Sequence, residues 1–166
     1  MNKFMNLAID KARDGLSKKE GGPFGALIMS KEGKIISVCN NSVIKNNDPT
    51  AHAEVEAIRN ACKKLGTYDL NGYILYTTCE PCPMCLSAII WANIKEVYFG
   101  CDKKDASKIG FRDDVIYEYL KEKNSNLINL TKIDRENCIK LFEDYKKENG
   151  IIYYMTIIYG MTWYFF

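Results

Sequence analysis

One histidine and two cysteines are the residues whose types could do chemistry together. His52, the only histidine of the chain, lies in the segment PTAHAEVEA, and Cys82 and Cys85 lie in the segment EPCPMC. Zinc binds imidazole nitrogen and thiolate sulfur in a tetrahedron, and three protein ligands leave a fourth position for water, as in catalytic sites. The three residues therefore predict a metal site that holds one Zn²⁺ per subunit.

A carboxylate beside the predicted ligands favours a catalytic site over a structural one. Glu54 follows the histidine by two positions, which keeps it close to the metal without making it a ligand. A carboxylate placed in this way could take a proton from water at the metal and later deliver it to a leaving group. A purely structural zinc site has no use for such a group, so we predict that Glu54 is the catalytic proton carrier.

Two other interpretations of the cysteines remain open at this point. Together with Cys79, the pair forms a C-x₂-C-x₂-C pattern, which also occurs in iron–sulfur proteins. That pattern normally continues with a fourth cysteine before a proline, whereas Cys85 is followed by Leu-Ser-Ala-Ile. The other alternative is a zinc-stabilised binding protein without catalytic activity, for which Glu54 would have no purpose.

The elements predicted around these residues place all three ligands at or near helix N-termini. The segment NNDPTAHAEVEAIRNACKKLG predicts a helix that starts near Asp48 or Thr50 and ends at Gly66. The segment CPMCLSAIIWAN predicts a second helix, with Pro83 in its first turn. The partial positive charge of a helix N-terminus lowers the pKa of a thiol and favours the thiolate that a metal needs.

The remaining chain predicts a mixed sheet with helices on both faces. Helical spacing covers residues 3–18, a hairpin pairs Gly25–Ser30 with Lys34–Asn40, and GYILYTT and EVYFGC are further strands. Two more helices are predicted in DDVIYEYLKEK and RENCIKLFEDYKKE, with a possible strand at 127–133. The hairpin should pair antiparallel, and strands joined by helices should pair parallel.

Composition indicates a soluble globular protein of ordinary charge. The chain has 166 residues, of which 47% are apolar and 27% charged, and its formal net charge is +2. So small an excess of basic residues gives no support to nucleic-acid binding. The seven cysteines are odd in number and no signal peptide opens the sequence, so we expect a reducing, cytoplasmic environment.

The C-terminal segment differs in composition from the rest. Residues 151–166 contain no charged side chain and are rich in aromatic and β-branched residues. The segment is shorter than the roughly 20 residues of a membrane span, so no membrane association is expected. We predict a single domain over residues 1–150, followed by a tail that covers a partner or is a non-native extension.

Taken together, these motifs resemble the cytidine deaminase superfamily, whose zinc-dependent members carry His-x-Glu followed by Pro-Cys-x-x-Cys. Within it, residues 3–150 are most similar to bacterial guanine deaminases, through GGPFGA, NNDPTAHAEVEAIRNACKKLG, LYTTCEPCPMC and GFRDD. The resemblance implies a three-layer α/β/α fold with a five-stranded mixed sheet and the deamination of free guanine to xanthine and ammonia. The alternative is a tRNA adenosine deaminase, a group that shares DPTAHAE, or another nucleobase deaminase.

The same resemblance implies residues that contact the purine base. Asn41 and the backbone of Ala51 would form hydrogen bonds with it, and Phe24 would pack on its ring. Asp113, which would read the N–H edge, belongs to both the catalytic and the substrate-binding set, although a shift of one residue would exchange it with Asp114.

A homodimer is also implied by the resemblance. In this family the C-terminal segment swaps between two subunits, and a tyrosine near the chain end closes the partner's site. The tail of this chain extends beyond the expected end, so the tyrosine cannot be aligned. Tyr153 is the first candidate and Tyr154 the second.

Overall fold

The computed structural model describes residues 2–122, 127–151 and 153. These fall into two compact units, one up to Asp114 and the other from Val115. The elements, in chain order, are α1 Lys3–Ser17, β1 Gly25–Ser30, β2 Ile35–Asn40, α2 Val43–Asn46, α3 Ala53–Leu65, β3 Tyr73–Cys79, α4 Pro83–Trp91, β4 Glu96–Cys101, α5 Lys103–Lys108, α6 Asp114–Glu122 and α7 Arg135–Lys147. The predicted single domain over 1–150 stays a prediction. Among the described residues, no helix is long and apolar enough for a membrane span.

A four-stranded mixed sheet in the order β2-β1-β3-β4 forms the centre of the first unit. β1 pairs antiparallel with β2 and with β3. β3 pairs parallel with β4, and helix α4 connects these two strands along the chain. The predicted α/β class and the pairing directions are therefore confirmed.

The prediction of a fifth strand is wrong for the described part of the chain, whose sheet has four strands. Residues 127–133 form no strand there, and their apolar side chains stay in solvent, with Leu130 74% and Ile133 78% exposed. A strand becomes stable when it pairs its backbone groups with a neighbour and buries one face. This segment does neither in the described structure, so apolar composition alone misled the prediction.

Helices cover both faces of the sheet because β1 is apolar on both sides. Leu27 and Met29 lie on one face in a cluster with Ala8 of α1, whereas Ala26 and Ile28 lie on the other face in a cluster with α3 residues. Successive side chains of a strand point to opposite faces, so a continuous apolar run needs cover on both. The predicted three-layer arrangement follows from this alternation.

One glycine lets α1 lie close to the sheet. A Cβ atom on Gly25 would collide with the backbone carbonyl of Ala8, which cannot move without disturbing α1. The glycine at the start of β1 is therefore needed for the packing of this helix.

Candidate metal centre and active site

The three predicted ligands lie at the starts of two helices. His52 is the N-cap of α3 and Cys82 is the N-cap of α4, both with extended backbone, and Cys85 lies in the first turn of α4. Pro83 occupies the first position of α4, where a missing N–H is harmless. Neither N-cap side chain forms a capping hydrogen bond, which leaves the imidazole and the thiol available to a metal.

The start of α3 differs from the prediction, which placed it near Asp48 or Thr50. The carboxylate of Asp48 instead accepts hydrogen bonds from the backbone N–H of Thr50 at 2.8 Å and from its hydroxyl at 2.7 Å. This local turn competes with a helical start, so α3 begins only after His52. The predicted end is confirmed, since Gly66 takes the left-handed conformation with a φ of 68°.

The donor atoms of the three residues converge to a spacing that suits zinc. The ligand atoms of His52, Cys82 and Cys85 all lie within 4.8 Å of one another. Nδ1 of His52 lies 3.6 Å from Sγ of Cys82 and 3.4 Å from Sγ of Cys85. Zinc–sulfur bonds of about 2.3 Å and zinc–nitrogen bonds of about 2.0 Å at a tetrahedral angle separate the two atoms by about 3.5 Å. The residues present therefore fit a tetrahedral zinc ion.

The electrostatics of the cluster favour at least one thiolate. A hydrogen bond from the Cys85 thiol, with a further one from His52, lowers the pKa of Cys82. The same contact with Cys82 raises the pKa of Cys85, and the Cys82 sulfur also raises the pKa of His52. Zinc binds both cysteines as thiolates, so metal binding at this site releases protons.

The predicted proton carrier lies directly beside the ligands. Glu54 is 5% exposed; its Oε1 accepts a hydrogen bond from the Thr77 hydroxyl at 3.0 Å, and its Oε2 lies 3.5 Å from Sγ of Cys85. Burial raises the pKa of the Glu54 carboxyl, while its own backbone N–H and Thr77 act in the opposite direction. A carboxyl group with these properties can both accept and return a proton.

The side chain of Asn41 has one of its two polar groups committed. It is buried just after β2, and its Oδ1 accepts hydrogen bonds from the backbone N–H groups of Gly22 at 3.1 Å and Val43 at 3.3 Å. Because two donors face the oxygen, the orientation of the amide is fixed. The NH₂ group is then the part that can serve a substrate, as a donor.

Phe24 and Ala51 occupy defined positions in the same unit. The ring of Phe24 contacts that of Phe111 edge to face, with centroids 4.9 Å apart. Ala51 is buried; its N–H donates to the carbonyl of Asp48 at 3.1 Å, and its carbonyl accepts from Ser42 at 2.9 Å. The carbonyl oxygen of Ala51 has a second lone pair, so it could accept a further hydrogen bond. The predicted contact of the Ala51 backbone with the purine stays a prediction.

Two adjacent aspartates differ in their surroundings. Asp114 binds Arg112 through both carboxylate oxygens, at 3.1 and 2.6 Å. Asp113 is partly buried; burial raises its pKa, and the charge of Cys82 adds to the increase. Asp113 is thus within electrostatic reach of the metal site, and its role in substrate binding stays a prediction.

Of the two candidate tyrosines, the structure describes Tyr153, which belongs to the second unit. Tyr153 is exposed, and its predicted role at a partner's site stays a prediction. Tyr154 and most of the tail over 151–166 lie outside the described residues.

One buried polar residue of this region, Thr77, was not among the predicted site residues. Leu75 and Thr77 project from the same face of β3, the face that packs against α3. The available signal was a threonine at a position where the alternation requires a buried side chain.

Comparisons with known proteins agree with this geometry. The model of the cytidine and deoxycytidylate deaminase zinc-binding region matches residues 1–101, which include the three ligands and Glu54. Guanine deaminase of Bacillus subtilis (strain 168) is 53% identical over 115 residues, which cover 69% of this chain and 73% of that protein. The tRNA-specific adenosine deaminase of Aquifex aeolicus is 47% identical over 102 residues, or 61% and 66% of the two chains. An X-ray structure of guanine deaminase from Bacillus subtilis matches with a TM-score of 0.85 and 42% identity, over 93% of this chain and 100% of that chain.

Proposed function

Because this chain belongs to the family of cytidine and deoxycytidylate deaminases, we propose that it hydrolyses free guanine to xanthine and ammonia. One observation carries the chemistry: the buried carboxylate of Glu54 lies 3.5 Å from Cys85, a ligand of the metal site. The substrate is supported by the higher identity to guanine deaminase and by the match to the whole of its structure.

The protein's part in the reaction is to move protons. His52, Cys82 and Cys85 would hold the zinc ion, which would lower the pKa of the attacking water towards neutrality. Glu54 accepts a proton from the attacking water and delivers it to the ring nitrogen next to the carbon that bears the amino group. A second transfer through Glu54 moves the proton of the hydroxyl group now on that carbon to the amine; the carbon–nitrogen bond then breaks, ammonia leaves, and the hydroxyl oxygen becomes the carbonyl of xanthine.

Substrate selection rests on groups whose chemistry complements guanine. The NH₂ group of Asn41 would donate to a ring acceptor, the carboxylate of Asp113 would accept from an N–H, and the ring of Phe24 would pack against the purine. A base without the matching groups would leave buried polar atoms unpaired, and such sites reject the wrong substrate strongly.

Deamination of an adenosine in tRNA is the second candidate, because a tRNA-specific adenosine deaminase is 47% identical over 102 residues. Purified protein should be incubated with guanine, while xanthine is followed by absorbance and ammonia is assayed separately. Turnover of guanine supports the proposal. Conversion of an anticodon adenosine to inosine, with guanine untouched, would decide for the alternative.

The alternative that the chain is a zinc-stabilised binding protein without catalytic activity loses its support. The chain belongs to a deaminase family, and a buried carboxylate beside the ligands is costly unless it has a use. Stoichiometric zinc with no ammonia released from any nucleobase would restore this alternative.

Dimerisation and location complete the proposal. Exposed apolar side chains on α4, those of Leu86, Ile90 and Trp91, offer a surface for a second copy, and residues 151–166 would reach the partner's site with Tyr153. Light scattering on the full chain would test the dimer. Thiolate ligands persist in a reducing compartment, so a cytoplasmic location is part of the proposal.

A further inference from the structure

A fully buried threonine separates the roles of the two oxygens of Glu54. Thr77 is 0% exposed, and its hydroxyl donates to Oε1 of Glu54 at 3.0 Å. The other oxygen, Oε2, is the one that faces Sγ of Cys85, at 3.5 Å. We propose that Thr77 is a positioning residue, which holds Oε1 so that Oε2 stays directed towards the metal site for proton transfer. This inference rests on the proposed function.

Thr77 can hold the carboxylate firmly because its own backbone is fixed on both sides. It pairs with Ala26 of β1 and with Phe99 of β4, so it lies in the interior of the sheet. Groups on such elements keep their geometry better than groups on loops. Glu54, by contrast, lies in the first turn of α3, where its long side chain could otherwise adopt several rotamers.

The chemistry of the contact also favours this role. A hydroxyl that donates to a carboxylate makes a hydrogen bond that is roughly twice as strong as one between neutral groups. A valine would fill nearly the same space without a polar atom that needs a buried partner. The hydroxyl at position 77 is therefore explained by Glu54, which is the partner that it has in the structure.

Three variants separate positioning from simple packing. Thr77→Val removes the hydroxyl and keeps the β-branched shape, and Thr77→Ser restores the hydroxyl. Ser37→Ala is the matched control, because Ser37 is also buried and its hydroxyl also donates to α3, but to the backbone carbonyl of Ala57 at 2.8 Å and not to the Glu54 carboxylate.

The expected result is a loss in kcat with little change in KM. For guanine, Thr77→Val should lower kcat by about tenfold or more, since general acid–base catalysis contributes about 100- to 10,000-fold in total. KM should change by less than about threefold, and zinc content should stay at the wild-type value. Thr77→Ser should recover most of kcat, and Ser37→Ala should keep it.

A second measurement does not depend on activity. On the zinc-loaded protein, the free energies of unfolding of Thr77→Val, Glu54→Ala and the double variant form a cycle, because alanine, unlike glutamine, leaves no acceptor for the Thr77 hydroxyl; non-additive effects would demonstrate the contact. A wild-type kcat in Thr77→Val, or additive effects in the cycle, would overturn the inference. Absence of guanine turnover in the wild-type protein would instead contradict the proposed function, so the two failures are distinguishable.

Discussion

Nδ1 of His52 lies 3.4 Å from Sγ of Cys85, although the two residues belong to different helices and are separated by a complete strand. β3 carries the chain from the end of α3 to the start of α4, and it pairs parallel with β4 after α4. In open α/β sheets, ligands bind beyond the carboxyl ends of the strands. The N-termini of α3 and α4 meet near the carboxyl end of β3, which explains the convergence.

Replacement of the proton carrier should separate metal binding from catalysis. Glu54→Gln keeps the size of the side chain but cannot accept a proton, so we expect guanine turnover to fall by about 100- to 10,000-fold. Zinc content should remain stoichiometric by elemental analysis, because Glu54 is not a ligand. Glu56→Gln is the control, because it removes the same charge from the same helix. The carboxylate of Glu56 pairs with Arg59 at 2.8 Å and is not part of the metal site, so this variant should keep its activity. Full activity in Glu54→Gln would refute the mechanism.

Removal of one sulfur should release the metal. Loss of a group that hydrogen-bonds to a metal ligand costs about 10- to 100-fold in metal affinity. Loss of a ligand itself should cost more, so Cys85→Ala should weaken zinc binding by at least about a hundredfold. Competition with a chromogenic chelator would measure this loss. Cys101→Ala, at an exposed cysteine outside the cluster, is the control and should bind zinc like the wild type. Equal affinities of the two variants would exclude Cys85 as a ligand.

Two neighbouring aspartates allow a paired test of substrate recognition. Asp113→Asn should lower kcat/KM for guanine by about a hundredfold or more, because the N–H edge of the base would lose its charged acceptor. Asp114→Asn removes the exposed ion pair with Arg112 and should change kcat/KM for guanine little. Steady-state kinetics would measure kcat/KM for both variants. If Asp114 is the residue that binds the N–H edge of the base, Asp114→Asn will show the larger loss.

Stability should depend on pH through the turn before α3. The hydroxyl of Thr50 is the main cause that holds the pKa of Asp48 below its ordinary value of 3.8, with the Thr50 backbone N–H and Arg59 adding to it. A lowered pKa stabilises the fold above the unfolded value, and this contribution is lost as the pH falls through the folded value. Asp48→Asn should therefore have a lower Tm than the wild type at neutral pH, with the difference narrowing below pH 3.8.

This comparison needs metal-free protein, because acid also releases zinc from its ligands. Asp10→Asn is the control, since the exposed pair of Asp10 with Arg13 should contribute little at any pH. A difference in Tm between Asp48→Asn and the wild type that is constant with pH would contradict the assigned role.

Residue chemistry and spacing were sufficient to predict the metal site. His52, Cys82 and Cys85 are types that zinc selects, and helix signals placed them near two N-termini, where the structure has them. The strands of the hairpin were predicted to within one residue, because their turn and their apolar alternation are local signals.

Other features depended on contacts that are distant in sequence. Whether 127–133 becomes a strand depends on a pairing partner, which composition does not supply. The short helix α5 was not predicted because its residues are all polar or small and show no apolar periodicity. Its local signal is the capping box that Asp102 forms with Asp105. Thr77 was missed because its importance comes from Glu54 on another element.

The two helices that present His52 and Cys82 begin without any capping side chain. A serine or an aspartate at either position would stabilise its helix by about 1 kcal/mol, yet neither would supply the nitrogen or sulfur that zinc prefers here. In metal-free protein, the residue that would best cap each helix is therefore not the residue that the chemistry needs. A library screened for heat resistance without zinc should favour capping residues at both positions, whereas a screen with zinc should retain the ligands, because zinc bound to the folded protein stabilises it.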